Sequence, residues 1–191
     1  MKLVPFALSL VAVAIGTLAA IAHQDKKDAA AAPAMQAIKP GLHHKLLERK
    51  VGTWDATLRI AGIDWAAPST AVYTAELDHG GLWLIGDYRG LFNGQPFTGH
   101  EVQGFDSMKD RFVSTWVDSM MDHIMNFEGT YDEKTQTLAM FTDSFDMEGK
   151  PIKERHDTKF VDADNWVFTM NQLGPDGAYK PTMTITYTRK K

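Results

Sequence analysis

The chain has 191 residues, 44% of them hydrophobic and 23% charged, with a formal net charge of -4 and no cysteine. That profile is globular, at a length that suits one domain of ordinary size, and it excludes collagenous or wholly disordered chains. The lack of cysteine excludes thiol catalysis, thiolate metal sites, disulfides and iron-sulfur clusters. The acidic balance argues against a nucleic-acid surface that tracks phosphates.

Residues 1–22 read as a secretory signal peptide: Lys2 gives a basic start, Leu3 to Leu18 are almost wholly apolar, and Ala20-Ile21-Ala22 is a small-x-small cleavage site. The apolar run is near the lower limit for crossing a bilayer. Cleavage after Ala22 is therefore expected, with no stable membrane span afterwards and a periplasmic or secreted mature chain. Residues 23–40 are polar and then Ala-rich, with too few large apolar side chains to order themselves, and read as a disordered linker. Within the domain at 41–191, a short amphipathic helix is expected over 42–50, with Leu42, Leu46 and Leu47 on one side, capping one end of the remaining domain.

After Gly52 the period changes to short segments rich in Val, Ile, Thr, Tyr, Phe and Trp. The expected strands are 53–61, 69–78, 82–92, 97–106, 111–118, 122–131, 136–145, 151–161, 165–173 and 181–189. Between them lie Gly80-Gly81, Asn93-Gly94, Glu148-Gly149 and Asp176-Gly177, which tolerate the positive φ of tight turns. About ten strands joined by short hairpins, without long crossovers, predict an all-β, antiparallel up-and-down barrel, because closure removes the exposed sheet edges.

Gly52-Thr53-Trp54 at the first strand and Tyr187-Thr188-Arg189 at the last resemble the lipocalin-like, or calycin, barrels. The resemblance implies that Trp54 packs beneath Arg189 at the closed end. A closer likeness is to an uncharacterised bacterial family, domain of unknown function 1579. It is carried by the Gly-x-Trp start, Gly80-Gly81-Leu82-Trp83-Leu84, Asp87-Tyr88-x-Gly90, Gly104-Phe105-Asp106, the run from Arg111 to Asp118, and Glu128-Gly129-Thr130-Tyr131-Asp132. This resemblance implies a barrel and no established activity. Gly86 departs from the family pattern, where a larger polar residue is expected.

Alternation assigns the faces. Lys153, Arg155, Asp157 and Lys159 make a charged outer face in the eighth strand, turning Glu154, His156 and Phe160 inward. The same logic turns Trp54, Ala56 and Leu58 inward, with Trp166, Phe168 and Met170, with Phe112, Ser114, Trp116 and Asp118, and with His123, Met125 and Phe127. The third and fourth strands are ambiguous, and one reading has Trp83, Ile85, Asp87 and Arg89 facing in, together with His100 and Val102.

A lumen of this kind predicts a binding site for a small, largely apolar molecule, with Trp83, Trp116, Phe127, Trp166, Phe168 and Met170 as walls and Asp118, Glu154 and His156 orienting its polar end. Two alternatives stay open. Zinc or copper ligation would use His123, Glu154 and His156, with Asp118 or His100 joining and the Met120 to Met125 stretch offering thioethers. Proton-transfer catalysis would use the His156 and Glu154 pair. A binding protein is favoured over an enzyme, and no cofactor is required by the sequence. His100-Glu101 opens like a helical zinc-protease motif but meets Gly104 where the second His is needed, and Gly94 to Gly99 lacks the Lys of a phosphate loop.

Overall fold

The computed structural model describes residues 37–63, 69–146 and 148–191. The signal peptide and residues 23–36 of the linker lie outside the described residues. One α-helix, α1 (His44–Glu48), precedes the sheet. The described residues then form ten strands: β1 (Gly52–Ile60), β2 (Ser69–Asp78), β3 (Trp83–Phe92), β4 (Gln95–Asp106), β5 (Arg111–Asp118), β6 (Met125–Asp132), β7 (Thr137–Phe145), β8 (Pro151–Phe160), β9 (Asn165–Leu173) and β10 (Tyr179–Arg189). Each pairs antiparallel with its neighbour in sequence, and β1 pairs with β10, so the sheet is a closed up-and-down barrel. No described helix is long and apolar enough to cross a membrane.

The expected barrel and capping helix are both present, with shifted ends. The helix is shorter than the apolar spacing implies, since Leu42 is 80% exposed and only His44, Leu46 and Leu47 are buried. β6 starts at Met125 rather than 122, which leaves His123 in the preceding loop.

Closure runs from Trp54↔Arg189 to Ile60↔Met183. The Trp54 ring is fully buried, its Nε1 donates to the Lys50 carbonyl at 2.8 Å, and the Arg189 guanidinium lies 4.1 Å from its ring centroid. Arg189 also donates from Nη1 to the Val51 carbonyl at 2.9 Å and from Nε to the Ala163 carbonyl at 3.2 Å. Gly52 has φ +124°, and a Cβ there would sit 2.5 Å from Arg189 Nη1. The glycine of Gly-x-Trp therefore supplies both the backbone conformation and the space that let the guanidinium reach over the indole.

Loss of this contact is the clearest test of the fold. Trp54→Ala should cost about 3–5 kcal/mol, as for a large aromatic removed from a packed core. Arg189→Ala should cost about 2 kcal/mol, through its cation-π contact and charged hydrogen bonds. Urea unfolding measures both, and a Trp54→Ala loss below about 1 kcal/mol would show that closure does not depend on it.

Candidate functional site

The inward side chains divide the lumen by depth. Near α1, Trp54, Tyr73, Leu84, Phe112, Leu138, Phe160, Trp166 and Tyr187 are all buried. Toward the opposite end the inward Ile60, Phe97, Trp116, Phe168, Met170 and Met183 keep partial exposure. The barrel is plugged at the helix end, and its inward side chains are less buried at the other.

The plug contains a polar cluster. Lys50, only 4% exposed, pairs with Glu101 Oε2 at 2.7 Å and donates to Gln103 Oε1 at 3.2 Å. The Tyr73 hydroxyl donates to the same Glu101 oxygen at 2.7 Å. The Lys50 ammonium also stands 5.6 Å from the ring centroids of both Tyr73 and Trp166. Trp166 stacks on Tyr187 at 3.5 Å and meets Trp54 and Tyr73 edge-on, each at 5.8 Å. Gly86 makes room for this arrangement, because a Cβ at that inward position would overlap the Tyr73 ring.

Burial and the neighbouring Glu101 carboxylate hold the Tyr73 phenol well above its ordinary value, burial does the same to Tyr187, and burial pushes Tyr88 up to about 12. Two buried donors in the lumen, Tyr88 Oη and Trp166 Nε1, have no hydrogen-bond partner among the described residues. A buried donor left unpaired costs roughly 1–3 kcal/mol.

Higher in the lumen, His156 Nε2 lies 3.0 Å from Glu154 Oε2, with the two side chains 12% and 9% exposed. Phe127 and Phe168 flank the imidazole at 4.7 and 5.2 Å. The expected inward pair is thus present, and its spacing suits a base held by an orienting carboxylate. Trp116, Phe127, Trp166, Phe168 and Met170 share the inner face with it, while Asp118 sits at the rim, accepting from Trp116 Nε1 at 2.8 Å.

The inward readings of β3, of β4 and of His123 are corrected. Trp83 stands on the outer face with Ile85, Asp87 and Arg89, because Leu84, Gly86 and Tyr88 are the buried alternate set of β3. His100 and Val102 likewise face out, with His100 Nδ1 3.0 Å from Asp87 Oδ1 on the surface. His123 is 47% exposed in its loop, beside Asp122. Among the described residues, no three His, Asp or Glu side chains converge as a metal site, so His123, Glu154 and His156 do not form the expected ligand set. Alternation alone does not find Lys50, Tyr73, Tyr88, Glu101 or Gln103. The register offers the missing signal: once Gly86 is known to face in, its partner Glu101 must face in too.

A cleft of about 830 Å³ lies against the wall, lined on the outside by Trp83, Val113, Asn126, Phe141 and Lys153 and reaching the inward-facing Phe127 and Glu154.

Residues 39–189 match the family described as "Protein of unknown function (DUF1579)". No curated protein matches the chain. Among solved structures, the S-type phycobiliprotein lyase CPES from Guillardia theta is similar at a TM-score of 0.50 and 11% identity, over 78% of this chain and 93% of that one. A redesigned β-barrel, mFAP1, bound to DFHBI is similar at a TM-score of 0.40 and 14% identity, over 75% and 98% of the two chains. At 11% identity the likeness to the lyase speaks to fold alone.

The plug can be tested by charge removal and by pH. Lys50→Met or Glu101→Leu alone should cost about 3–5 kcal/mol by stranding one buried charge, whereas the double variant should recover most of the loss. Equal, additive losses in a double-mutant cycle would show that the two charges act independently. Because the folded state holds Tyr73, Tyr88 and Tyr187 protonated above the ordinary value of 10.0, their contribution is complete below that pH and is lost as pH rises through the folded values. Phenolate absorbance should report these three ionising together with unfolding, and their ionisation in the still-folded protein near pH 10 would contradict their burial.

Proposed function

The chain belongs to the DUF1579 family, and from that premise we propose that it is an exported binding protein whose barrel holds a small, largely apolar molecule. Trp116, Phe127, Trp166, Phe168 and Met170 supply the walls, and Asp118, Glu154 and His156 orient the polar end. Trp83, on the outer face, is left out of the lumenal set. The reading rests most on one observation: Tyr88 Oη and Trp166 Nε1 are buried in the lumen with no partner among the described residues. A plug formed only for stability gains nothing from unpaired donors, whereas a pocket that recognises an acceptor on its guest needs them. The partial exposure of Phe168, Met170 and Met183 toward the far end adds an apolar, accessible wall. Export to the periplasm or beyond the cell is proposed from the signal-like residues 1–22.

The fluorescent amine 1-aminoanthracene tests the reading, since its emission rises in apolar surroundings. Saturable one-to-one binding is expected, and Met170→Trp, which narrows the lumen, should weaken it by at least about tenfold, or about 1.4 kcal/mol. Tyr88→Phe should keep or raise thermal stability, because it removes a buried hydroxyl with no partner among the described residues. Absence of binding, or binding unchanged by Met170→Trp, would overturn the lumenal site.

A further inference from the structure

The barrel wall is not hydrogen-bonded along its whole height. β6 pairs with β7 only from Glu128↔Phe141 to Asp132↔Thr137. Above that point β6 still pairs with β5 as far as Trp116↔Met125, and β7 still pairs with β8 as far as Phe145↔Pro151. Each strand thus keeps its outer neighbour and loses the other, leaving a slit between residues 125–127 and 142–145. At the foot of the slit the two backbones crowd together: a Cβ at Gly129 would overlap the Ala139 carbonyl and approach Met140 Cα to 2.7 Å. Only glycine fits at that bend.

The outer cleft occupies this place. Its lining takes Asn126 and Glu128 from β6 and Phe141 and Asp143 from β7, all outward, together with the inward Phe127, Thr142 and Glu154. Phe127 and Thr142 stand on its two sides, next to the last pair Glu128↔Phe141. On the outer side Lys109 pairs with Glu128 and Lys153 with Asp143. Glu154 differs: its Oε2 faces His156, and its Oε1 has no protein partner among the described residues.

We propose that the lumen is loaded from the side, through the slit between β6 and β7, by a small apolar molecule carrying a hydrogen-bond donor, such as an amine or hydroxyl. The apolar body passes between Phe127 and Phe141, and the donor is received by Glu154. The proposal rests on the lumen being a ligand site.

The chain lacks cysteine, so Asn126→Cys/Asp143→Cys places the only two thiols on opposite lips of the slit. A short bifunctional methanethiosulfonate reagent bridges them, and a reductant releases the bridge. Stopped-flow mixing with 1-aminoanthracene should show association slowed by at least about tenfold in the bridged protein and restored after reduction. The Asn126→Cys variant carrying a monofunctional reagent should load at nearly the unsubstituted rate. In addition, Glu154→Gln should weaken binding of the amine more than binding of anthracene itself. Unchanged loading of the bridged protein would overturn the slit while leaving the lumenal site standing. A probe that binds neither the reduced variant nor the unsubstituted chain would overturn both.

Discussion

Arg189 lying across the buried ring of Trp54 is the contact on which the interior depends. A ten-stranded meander has two free edges, and this one brings them together by pairing β1 with β10. The guanidinium fixes that seam from three sides, with the Trp54 ring beneath it, the Val51 carbonyl beside it and the Ala163 carbonyl beyond. These partners come from before the first strand, from within it and from the turn before β9. One side chain therefore ties both ends of the sheet to a single point, and every statement about an inward residue presupposes that tie.

The Lys50–Glu101 pair makes a different demand. Two charges removed from water usually gain less from each other than they lose in solvation, so apolar residues in their place would serve stability as well or better. The pair persists here inside an aromatic enclosure of Tyr73, Trp166 and Tyr187, with Gln103 and the Tyr73 hydroxyl completing its hydrogen bonds. Lys50 comes from the segment that joins α1 to β1, so the pair also fixes how the helix end seats on the barrel. Misregistry of either β4 or the helix would leave one charge alone in the interior.

The legible parts of the fold were those where one face of a strand carries an unambiguous signal. In β8 the run of Lys153, Arg155, Asp157 and Lys159 decides the other face without help, and Glu154 and His156 are where that logic puts them. β3 defeats the same logic because Gly86 and Gly90 occupy inward positions while Trp83 and Ile85 face out, so the larger apolar residues lie on the wrong side. β4 is harder still, with the charged Glu101 inward, since its counter-charge comes from Lys50 outside the sheet. Local alternation contains no trace of a partner so distant. The slit is similarly hidden: pairing lapses between strands that are each regular, and Gly129 alone marks the bend.

The two lumenal carboxylates differ in the number of partners they already have. Glu101 takes the Lys50 ammonium and the Tyr73 hydroxyl on one oxygen and stands 3.5 Å from Ser114 Oγ with the other. A guest would have to displace a buried ion pair to use it. Glu154 has a single partner, His156, and lies where the cleft reaches the inner face. Both carboxylates are largely withdrawn from water, so the difference is one of unspent hydrogen-bonding capacity, and a buried acceptor with capacity left strongly favours a donor that fits. The closed end thus specifies the barrel, while the lumen from Trp166 upward holds the two unpaired donors, Tyr88 Oη and Trp166 Nε1, and a carboxylate, Glu154, whose one protein partner among the described residues is His156.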